Sequence, residues 1–364
     1  MDRERDGMGP QSTRAPYAVV VPTLGRPSLQ VCLEALASAT ADGTGPTAVV
    51  LVHDRPGPDA RPPVLDVPPA LRPVTTVVAG AGRGPAAARN TGARAAGRVP
   101  WIVFLDDDVV PGPGWGRALA RDLASASRDT AAVTARIDVP LPPDRRPTDW
   151  ERNTAGLATA RWITADMAFR REALEAAGGF DERFPRAFRE DADLALRLLD
   201  GGWHLAPGTR RTTHPVRPVD RWVSVRVQAG NADDVLMTRL HGRAWWERAS
   251  APRGRLRRHL AVSGAAAAAV GCALAGRYGA AAACAAGWLA GTAEFAAARI
   301  APGPRSGAEV TTMLVTSALI PPVATWHWLR GHAAHRTARP LGPARPPGGD
   351  AVDPRRTPRG RVRT

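Results

Sequence analysis

Short apolar runs alternate with amphipathic segments over the first two thirds of the chain. The apolar runs are rich in β-branched and aromatic residues and have the length of buried strands; they cover 17–21, 48–52, 74–79, 101–105 and 131–137. Between them, apolar residues recur with helical spacing at 27–39, 85–97 and 115–126. Strands that alternate with helices predict an α/β domain with a mostly parallel sheet and right-handed crossovers.

A second block of pattern follows the proline-rich segment 139–153, which we expect to be a loop. It contains an apolar run at 162–169, a short helix at 171–177 and an amphipathic helix from about 190 to 199. A Gly-Gly pair follows each of these two helices and predicts where it ends.

Long apolar runs replace the alternation from about residue 259. The runs 259–276 and 278–298 have the length needed to cross a bilayer, and a third run, 310–328, contains a Pro-Pro pair. A soluble alanine-rich hairpin packed on the domain is the alternative, because alanine and glycine favour membrane insertion only weakly and Glu294 lies inside the second run.

The net charge of +15 is unevenly distributed, and all basic residues other than histidine are arginine. Arginines are concentrated at 251–258, before the first long apolar run, and at 331–364, after the third. The positive-inside rule places both flanks on the cytoplasmic face, so we expect two membrane spans, with the Pro-Pro segment re-entrant or interfacial. Four tryptophans are candidate interface anchors: Trp245, Trp246, Trp326 and Trp328.

Three consecutive aspartates, Asp106, Asp107 and Asp108, directly follow the apolar run 101–105. Like charges buried together without a partner are costly, whereas clustered carboxylate oxygens suit a divalent cation. Open α/β sheets bind their ligands at the carboxyl ends of strands, which is where this cluster would lie. A solvated acidic turn is the alternative interpretation.

Two further carboxylates, Glu190 and Asp191, begin the amphipathic helix near 190–199. Carboxylates at a helix N-terminus have an ordinary explanation, because they cap the first turn and interact favourably with the helix dipole. Only in combination with the aspartate cluster do they indicate a site.

Together these segments resemble the family 2 glycosyltransferases of the GT-A fold, in a membrane-associated bacterial form. Five segments carry the resemblance in the family's order: 18-AVVVPTLGRPSLQVCLEAL-36, 84-GPAAARNTGARAA-96, 104-FLDDDVVP-111, 166-DMAFRREALEAAGGFDERF-184 and 189-REDADLALRL-198. The resemblance covers roughly 17–235 and implies a GT-A α/β domain with a mixed sheet. We therefore divide the chain into a disordered tail (1–16), the GT-A domain (17–235), an amphipathic and basic linker (236–258), hydrophobic membrane-associated helices (259–329) and a disordered basic tail (330–364).

The resemblance also implies the chemistry, which is transfer of a hexosyl or deoxyhexosyl group from a nucleoside diphosphate sugar. Asp108 is the candidate direct ligand of a divalent metal, Mg²⁺ or Mn²⁺, with Asp106 and His214 as further candidate metal ligands. Asp191 is the candidate general base that takes the proton of the acceptor hydroxyl. A single in-line displacement would invert the anomeric configuration, and Glu190 is expected to be structural.

Nine residues are expected at the nucleotide sugar by the same resemblance: Pro22, Thr23, Arg26, Asp54, Gly84, Arg89, Asn90, Asp106 and Asp107. Gly84, Arg89 and Asn90 open or line a helix whose N-terminal N–H groups suit a diphosphate, although a surface charge is the alternative for Arg89. Asp54 lies in 53-HDRPGPD-59, where the family commonly has Asp-Asp-Gly-Ser, so the identity of the base stays open.

Processive synthases of this family carry Gln-x-x-Arg-Trp, whereas 221–234 has these residues in another order. We therefore expect a single-sugar transferase, with a lipid-linked or cell-envelope glycan acceptor at the cytoplasmic face of the bacterial cell membrane. A nucleotidyltransferase that makes an activated sugar is disfavoured, because 22-PTLGRPS-28 has one glycine and no lysine. A nucleic-acid-binding protein is also disfavoured, because the basic segments lack interleaved aromatic residues for base stacking.

Overall fold

The computed structural model describes residues 15–55, 57 and 65–342. The tails expected at 1–16 and 330–364 therefore fall largely outside the described residues. Where the C-terminal tail was expected to begin, the structure instead continues a helix to Ala334.

Eight strands form one mixed sheet. They are β1 (Tyr17–Thr23), β2 (Ala48–His53), β3 (Thr75–Ala79), β4 (Trp101–Leu105), β5 (Val110–Pro111), β6 (Thr130–Asp138), β7 (Asp166–Arg170) and β8 (His204–Thr213). Their order across the sheet is β3-β2-β1-β4-β7-β6-β8-β5. The first four strands of that order are mutually parallel, β7 is antiparallel to both of its neighbours, β6 is parallel to β8, and β5 is antiparallel to β8.

Twelve α-helices occur in the described residues. They are α1 (Ser28–Ala39), α2 (Pro85–Ala95), α3 (Trp115–Ser125), α4 (Asp149–Ala155), α5 (Arg171–Ala176), α6 (Glu190–Asp200), α7 (Val223–Arg226), α8 (Gly230–His241), α9 (Trp245–Arg248), α10 (Leu256–Leu274), α11 (Tyr278–Ile300) and α12 (Gly307–Ala334). Short 3₁₀ turns lie at Arg72–Val74, Gly156–Thr159 and Val227–Ala229.

The apolar runs are continuous because both faces of the central strands are buried. Alternate residues of β4 enter different cores: Phe104 joins the cluster on one face of the sheet, and Val103 joins the cluster on the other. Phe104 also meets Phe180 edge to face, with ring centroids 5.1 Å apart. Each such side chain contributes about 1.5–3 kcal/mol by its burial, so the centre of the sheet is a rigid base for the residues that follow its strands.

The carboxyl ends of β1, β2 and β4 lie at the same edge, since these strands are parallel and adjacent. Thr23 ends β1, Asp54 follows β2, and the three aspartates follow β4. The loop that contains Asp106 is fastened to the chain before β7 by a backbone hydrogen bond from Asp106 N to Ala165 O (3.1 Å). The fold thus gathers polar residues from distant parts of the sequence at one edge.

The prediction of a loop over 139–153 is wrong for its last residues, because α4 begins at Asp149. Thr148 and Glu151 form a reciprocal capping box, in which each side chain accepts a hydrogen bond from the other's backbone N–H. This motif satisfies two free donors at a helix N-terminus, and its sequence signature lies inside the proline-rich segment.

The domain also extends past the boundary expected at 235. Leu236, Met237 and Leu240 of α8 and Trp245 of α9 belong to the hydrophobic core. Trp245 is therefore a core residue and not an interface anchor, whereas Trp326 on α12 is exposed. Only the chain after α9 is left to serve as a linker to the C-terminal helices.

The three long apolar runs form α10, α11 and α12, but not as two spans and a re-entrant segment. Among the helices that the structure describes, α12 alone has the length and apolar composition needed to cross a membrane. The prolines Pro321 and Pro322 lie inside this helix without ending it. The two expected spans, α10 and α11, do not pass the same test, since Arg257 and Arg258 lie within α10 and Glu294 lies within α11.

Candidate active site

A cavity of about 1300 Å³ lies at the carboxyl edge of the sheet. It is lined by eleven of the twelve residues that the sequence singled out: Pro22, Thr23, Arg26, Asp54, Gly84, Arg89, Asp106, Asp107, Asp108, Asp191 and His214. Glu190 lines it as well. Residues from both halves of the domain therefore face one space.

Arg89 connects two of the acidic segments. Its guanidinium donates to Glu190 Oε1 (2.8 Å) and to Asp106 Oδ1 (2.8 Å), and the residue is 1% exposed. The interpretation of Arg89 as a surface charge is wrong, and its two strong donors are committed to carboxylates rather than to a diphosphate. We infer that Arg89 positions Asp106 and Glu190 at the cavity wall.

Asp107 is held by residues that follow β1. Its Oδ2 accepts a hydrogen bond from the Thr23 hydroxyl (2.7 Å), and its Oδ1 lies 3.3 Å from Arg26 Nη1. The Thr23 hydroxyl in turn accepts the backbone N–H of Gly25 (2.9 Å). Asp107 therefore joins the ends of β1 and β4, and the half-exposed Arg26 brings a positive charge to the cavity.

Asp108 faces a histidine and an arginine from the chain after β8. Arg217 Nε lies 2.9 Å from Asp108 Oδ2, and His214 Nε2 lies 3.8 Å from Asp108 Oδ1. Burial and the neighbouring Asp106 raise the pKa of Asp108, while His214 and Arg217 oppose the rise. Because Asp106 and Asp108 carry like charges close together, a positively charged partner is favoured beside Asp108.

The expected metal set of Asp106, Asp108 and His214 is not assembled as one three-residue site. In the described part of the chain, no group of three or more His, Cys, Asp or Glu side chains is arranged to hold a metal ion, and Asp106 is engaged by Arg89. The pair that fits a cation is Asp108 with His214. Ligands that each lie about 2.1 Å from an ion can be up to about 4 Å apart, and their 3.8 Å separation meets that limit.

Asp191 lies in the first turn of α6 and faces the cavity. Its Oδ1 accepts the backbone N–H of Ala192 (2.7 Å). Burial is the main cause that raises its pKa, with a further rise from Asp106, against the opposing charges of Arg89 and Arg189. A carboxylate with a raised pKa is a better proton acceptor near neutral pH.

Glu190 is buried beside Asp191 and has a different environment. Arg89 binds its Oε1, whereas burial and the charge of Asp191 raise its pKa. The contact between Arg89 and Oε1 agrees with a structural role for Glu190, whereas Oε2 is buried without a hydrogen-bond partner.

Asp54 fixes the loop before α2. Its two carboxylate oxygens accept the backbone N–H groups of Gly82 (2.8 Å) and Gly84 (2.9 Å). An added Cβ on Gly80 would lie 2.3 Å from Asp54 Oδ1, so the loop passes close to this carboxylate. Both carboxylate oxygens of Asp54 are thus occupied by hydrogen bonds from the protein's own backbone, although the residue still borders the cavity.

Gly84→Ala is expected to destabilise the protein measurably. Gly84 has φ +97°, and an added Cβ would lie 2.3 Å from Pro185 O. Backbone strain alone costs about 1–3 kcal/mol, and the collision adds to it. Gly43→Ala is the matched control, because Gly43 also has positive φ (+77°) but open space around it. Thermal unfolding should show a larger loss for Gly84→Ala, and an equal loss would contradict the role of the Pro185 contact.

Asn90 is the one expected site residue that the structure turns away from the cavity. Its Oδ1 accepts the backbone N–H of Phe180 (2.8 Å), and its Nδ2 donates to Phe180 O (2.9 Å) and Glu182 Oε1 (3.0 Å). The left-handed Gly179 lets the chain approach the amide, since a Cβ there would lie 2.5 Å from Asn90 Oδ1. Asn90 therefore holds α2 to the turn after α5, and it is not among the residues that line the cavity.

Sequence reasoning missed two arginines. Arg217 contacts Asp108 from a segment without regular structure, and nothing in its spacing sets it apart from the other arginines. Arg189 precedes α6 with φ +78°, pairs with Asp234 (2.8 Å) and stacks over Trp246 at 5.0 Å. The position of Arg189 directly before Glu190 and Asp191 is the sequence feature that could have indicated it.

The chain is similar to known proteins over part of its length. Residues 18–176 match the family model described as glycosyl transferase family 2. Two curated pre-mycofactocin glycosyltransferases of Mycobacterium tuberculosis, from strains CDC 1551/Oshkosh and ATCC 25618/H37Rv, are 34% identical over 137 residues, which cover 34% of this chain and 28% of each relative. The similarity thus spans little more than a quarter of the length of those relatives.

Solved structures show a partial likeness. The structure of GalNAc-T7 with UDP, GalNAc and Mn²⁺ has a TM-score of 0.43 at 17% identity and covers 57% of this chain and 45% of its own. The mannosyltransferase PcManGT from Pyrobaculum calidifontis, in complex with GDP-Man and Mn²⁺, has a TM-score of 0.45 at 19% identity, with coverages of 90% and 88%.

The structure confirms the expected α/β domain with a mixed sheet, and the residues that match the family model include nearly all of β1 to β7. Asp191 and His214 lie after the matched residues.

Proposed function

Because residues 18–176 match the family model described as glycosyl transferase family 2, we propose that the protein is an inverting, non-processive glycosyltransferase that takes a hexosyl or deoxyhexosyl group from a nucleoside diphosphate sugar. The proposed acceptor is a lipid-linked or cell-envelope glycan. The observation that carries the proposal is that Asp108, His214 and Asp191 line one cavity at the carboxyl edge of the sheet.

The acceptor half of the reaction is assigned to Asp191. An acceptor hydroxyl must lose its proton as its oxygen attacks the anomeric carbon, and a carboxylate within hydrogen-bond reach takes that proton. Attack from the face opposite to the departing diphosphate inverts the anomeric centre in one step. Asp191 suits this role because burial raises its pKa and no salt bridge of the described residues occupies it.

The donor half is assigned to the acidic edge and its arginines. Asp108 and His214 would hold a divalent cation, Mg²⁺ or Mn²⁺, which supplies positive charge to the departing diphosphate. Arg26 and Arg217 border the same cavity and orient the anionic part of the donor. Thr23 and Asp107 hold the strand ends together so that these charges keep their positions.

Membrane association is proposed from the C-terminal helices. α12 passes the length and composition test for a span, and large apolar residues are exposed along it: Leu314, Val315, Leu319, Trp326 and Leu329. Arg336 and Arg339 follow the end of α12, and the positive-inside rule places such a basic flank in the cytoplasm. An acceptor anchored at the cytoplasmic face of the bacterial membrane then meets the cavity.

Binding of sugar nucleotides tests the function directly. Detergent-solubilised protein would be titrated with UDP-, dTDP- and GDP-sugars, with and without Mn²⁺ or Mg²⁺. We expect one donor to bind in a metal-dependent way, and Asp108→Asn to weaken it by about tenfold or more, which equals about 1.4 kcal/mol. Asp138→Asn is the control, since Asp138 is an exposed aspartate of β6 paired with Arg211.

Two results would contradict the proposal. Folded protein that binds no sugar nucleotide with any metal would remove the donor assignment. Equal losses in Asp108→Asn and Asp138→Asn would show that the binding does not depend on the acidic edge.

A further inference from the structure

Helix α4 touches the cavity on one side and the C-terminal helices on the other. Trp150, Asn153 and Thr154 line the cavity. Asp149, the first residue of the helix, accepts a hydrogen bond from Arg299 Nη2 of α11 at 2.7 Å. One short helix thus connects the two parts of the protein.

The contact is built around a buried guanidinium. Arg299 is 7% exposed and also donates to Thr316 Oγ1 (2.8 Å) and Ser317 Oγ (3.1 Å) of α12. Arg152 of α4 donates to Arg299 O (2.9 Å), which adds a second bond between the same helices. Without Arg299, the Asp149 carboxylate would keep only its 3.3 Å contact with Arg152 of the same helix, so the contacts with α11 and α12 help to determine where α4 lies.

From α4, the contacts continue to the acidic edge. Trp150 Nε1 donates to Arg217 O (3.1 Å), and Arg217 Nε binds Asp108 Oδ2 (2.9 Å). Residues 214–220, which contain Arg217, have no helix or strand in the structure. Segments without regular structure have low local stability, and the bond from Trp150 therefore matters for the position of Arg217.

A second cavity, of about 710 Å³, lies at this junction. It is bordered by both α4 and the segment 214–220, and Trp150 and Arg217 line it together with the first cavity. On the side of this cavity, the segment 214–220 is not held by close packing. Its position therefore depends on directional hydrogen bonds.

We propose that Arg299 is a positioning residue for the active site, which acts through Asp149, Trp150 and Arg217 on Asp108. The C-terminal helices then do more than attach the protein to a surface. Their contacts with α4 fix the position of Arg217, which faces the charged end of the donor. The donor aspect of this inference rests on the proposed function, whereas the mechanical coupling does not.

Hydrogen exchange of the unliganded protein tests the coupling without a substrate. In Arg299→Gln, we expect the amides of the five non-proline residues of 214–220 to exchange about tenfold faster than in the unsubstituted protein. Arg258→Gln is the matched control, because Arg258 forms an exposed pair with Glu294 in the same helices. Unchanged exchange in Arg299→Gln, or an equal rise in the control, would overturn the inference.

Trp150→Phe keeps one aromatic ring and removes the indole N–H that binds Arg217 O, together with the five-membered ring that carries it. We expect faster exchange at 214–220 and unchanged exchange within α12, which a general loss of packing would not produce. This variant also decides the matter if Arg299→Gln fails to fold. Exchange that rises equally in both regions would contradict the proposed order of contacts.

A double-mutant cycle on donor affinity tests whether the coupling affects donor binding. Substitutions of distant residues without shared partners usually have additive effects on free energy. The measured quantity is the dissociation constant of the best-binding UDP-, dTDP- or GDP-sugar. For Arg299→Gln combined with Arg217→Gln, we expect this constant to differ by about threefold or more from the value that additivity predicts. Additive effects would overturn the coupling. If exchange changes as expected but no sugar nucleotide binds, the coupling stands and the proposed donor is wrong.

Discussion

Asp191→Asn is expected to lower the turnover number by about 10²–10⁴-fold, the range that general-base catalysis supplies, while the donor binds as before. An amide keeps the size and the hydrogen bond from Ala192 N–H but accepts no proton from the acceptor. Steady-state turnover, together with the dissociation constant of the donor, separates these two effects. Because the pKa of Asp191 is raised mainly by burial, the loss of activity on acidification should begin above the usual range of an aspartate.

Glu190→Gln is the comparison for this experiment. The amide retains an oxygen that can accept from Arg89, so the shape of the cavity is kept while the neighbouring carboxylate is removed. We expect it to lose far less turnover than Asp191→Asn. The reverse order would assign the base to Glu190 and contradict the role given to Asp191.

Arg89→Met is expected to lower the free energy of unfolding by about 3–5 kcal/mol, the usual result of removing one partner from a buried ion pair. Asp106 and Glu190 would both lose their guanidinium. Because the charge of Arg89 opposes the rise in the pKa of Glu190, this pKa would rise further in the folded variant, so the stability deficit should be largest at alkaline pH and shrink as the pH falls and Glu190 takes up a proton. Denaturant titrations at two pH values measure this.

The control for Arg89→Met is Arg94→Met in the same helix. Arg94 is exposed, and surface substitutions usually change stability by no more than about 0.5 kcal/mol. Similar losses in the two variants, or a loss in Arg89→Met that grows on acidification, would contradict the structural role of the pair.

The sequence predicted five of the eight strands, and most of the residues that line the cavity, because the relevant signals are local. Strand β4 is apolar at every position since both faces are buried, and its end is marked by charged residues. The parallel order of neighbouring strands then brings Thr23, Asp54 and the aspartates to one edge. Such reasoning needs only periodicity and the geometry of sheets.

What the sequence did not reveal depends on contacts between distant segments. Asn90 and Arg89 are adjacent, yet one binds the turn after α5 and the other binds the cavity wall, because neighbours on a helix face different directions. Arg217 acquires its role only when the chain after β8 returns to β4. Similarly, the burial of Arg299 between α4 and α12 could not be read from a run of alanines.

The order of the strands has a consequence for synthesis on the ribosome. The four parallel strands β1 to β4 come from residues 17–105, so half of the sheet and the Arg89–Asp106 contact are encoded early. His214 and Arg217 emerge much later, and at about 5–20 residues per second the delay after Asp108 is on the order of ten seconds. A chain truncated before residue 214 would keep those strands but would have neither partner for Asp108, so the nascent enzyme completes its acidic edge late.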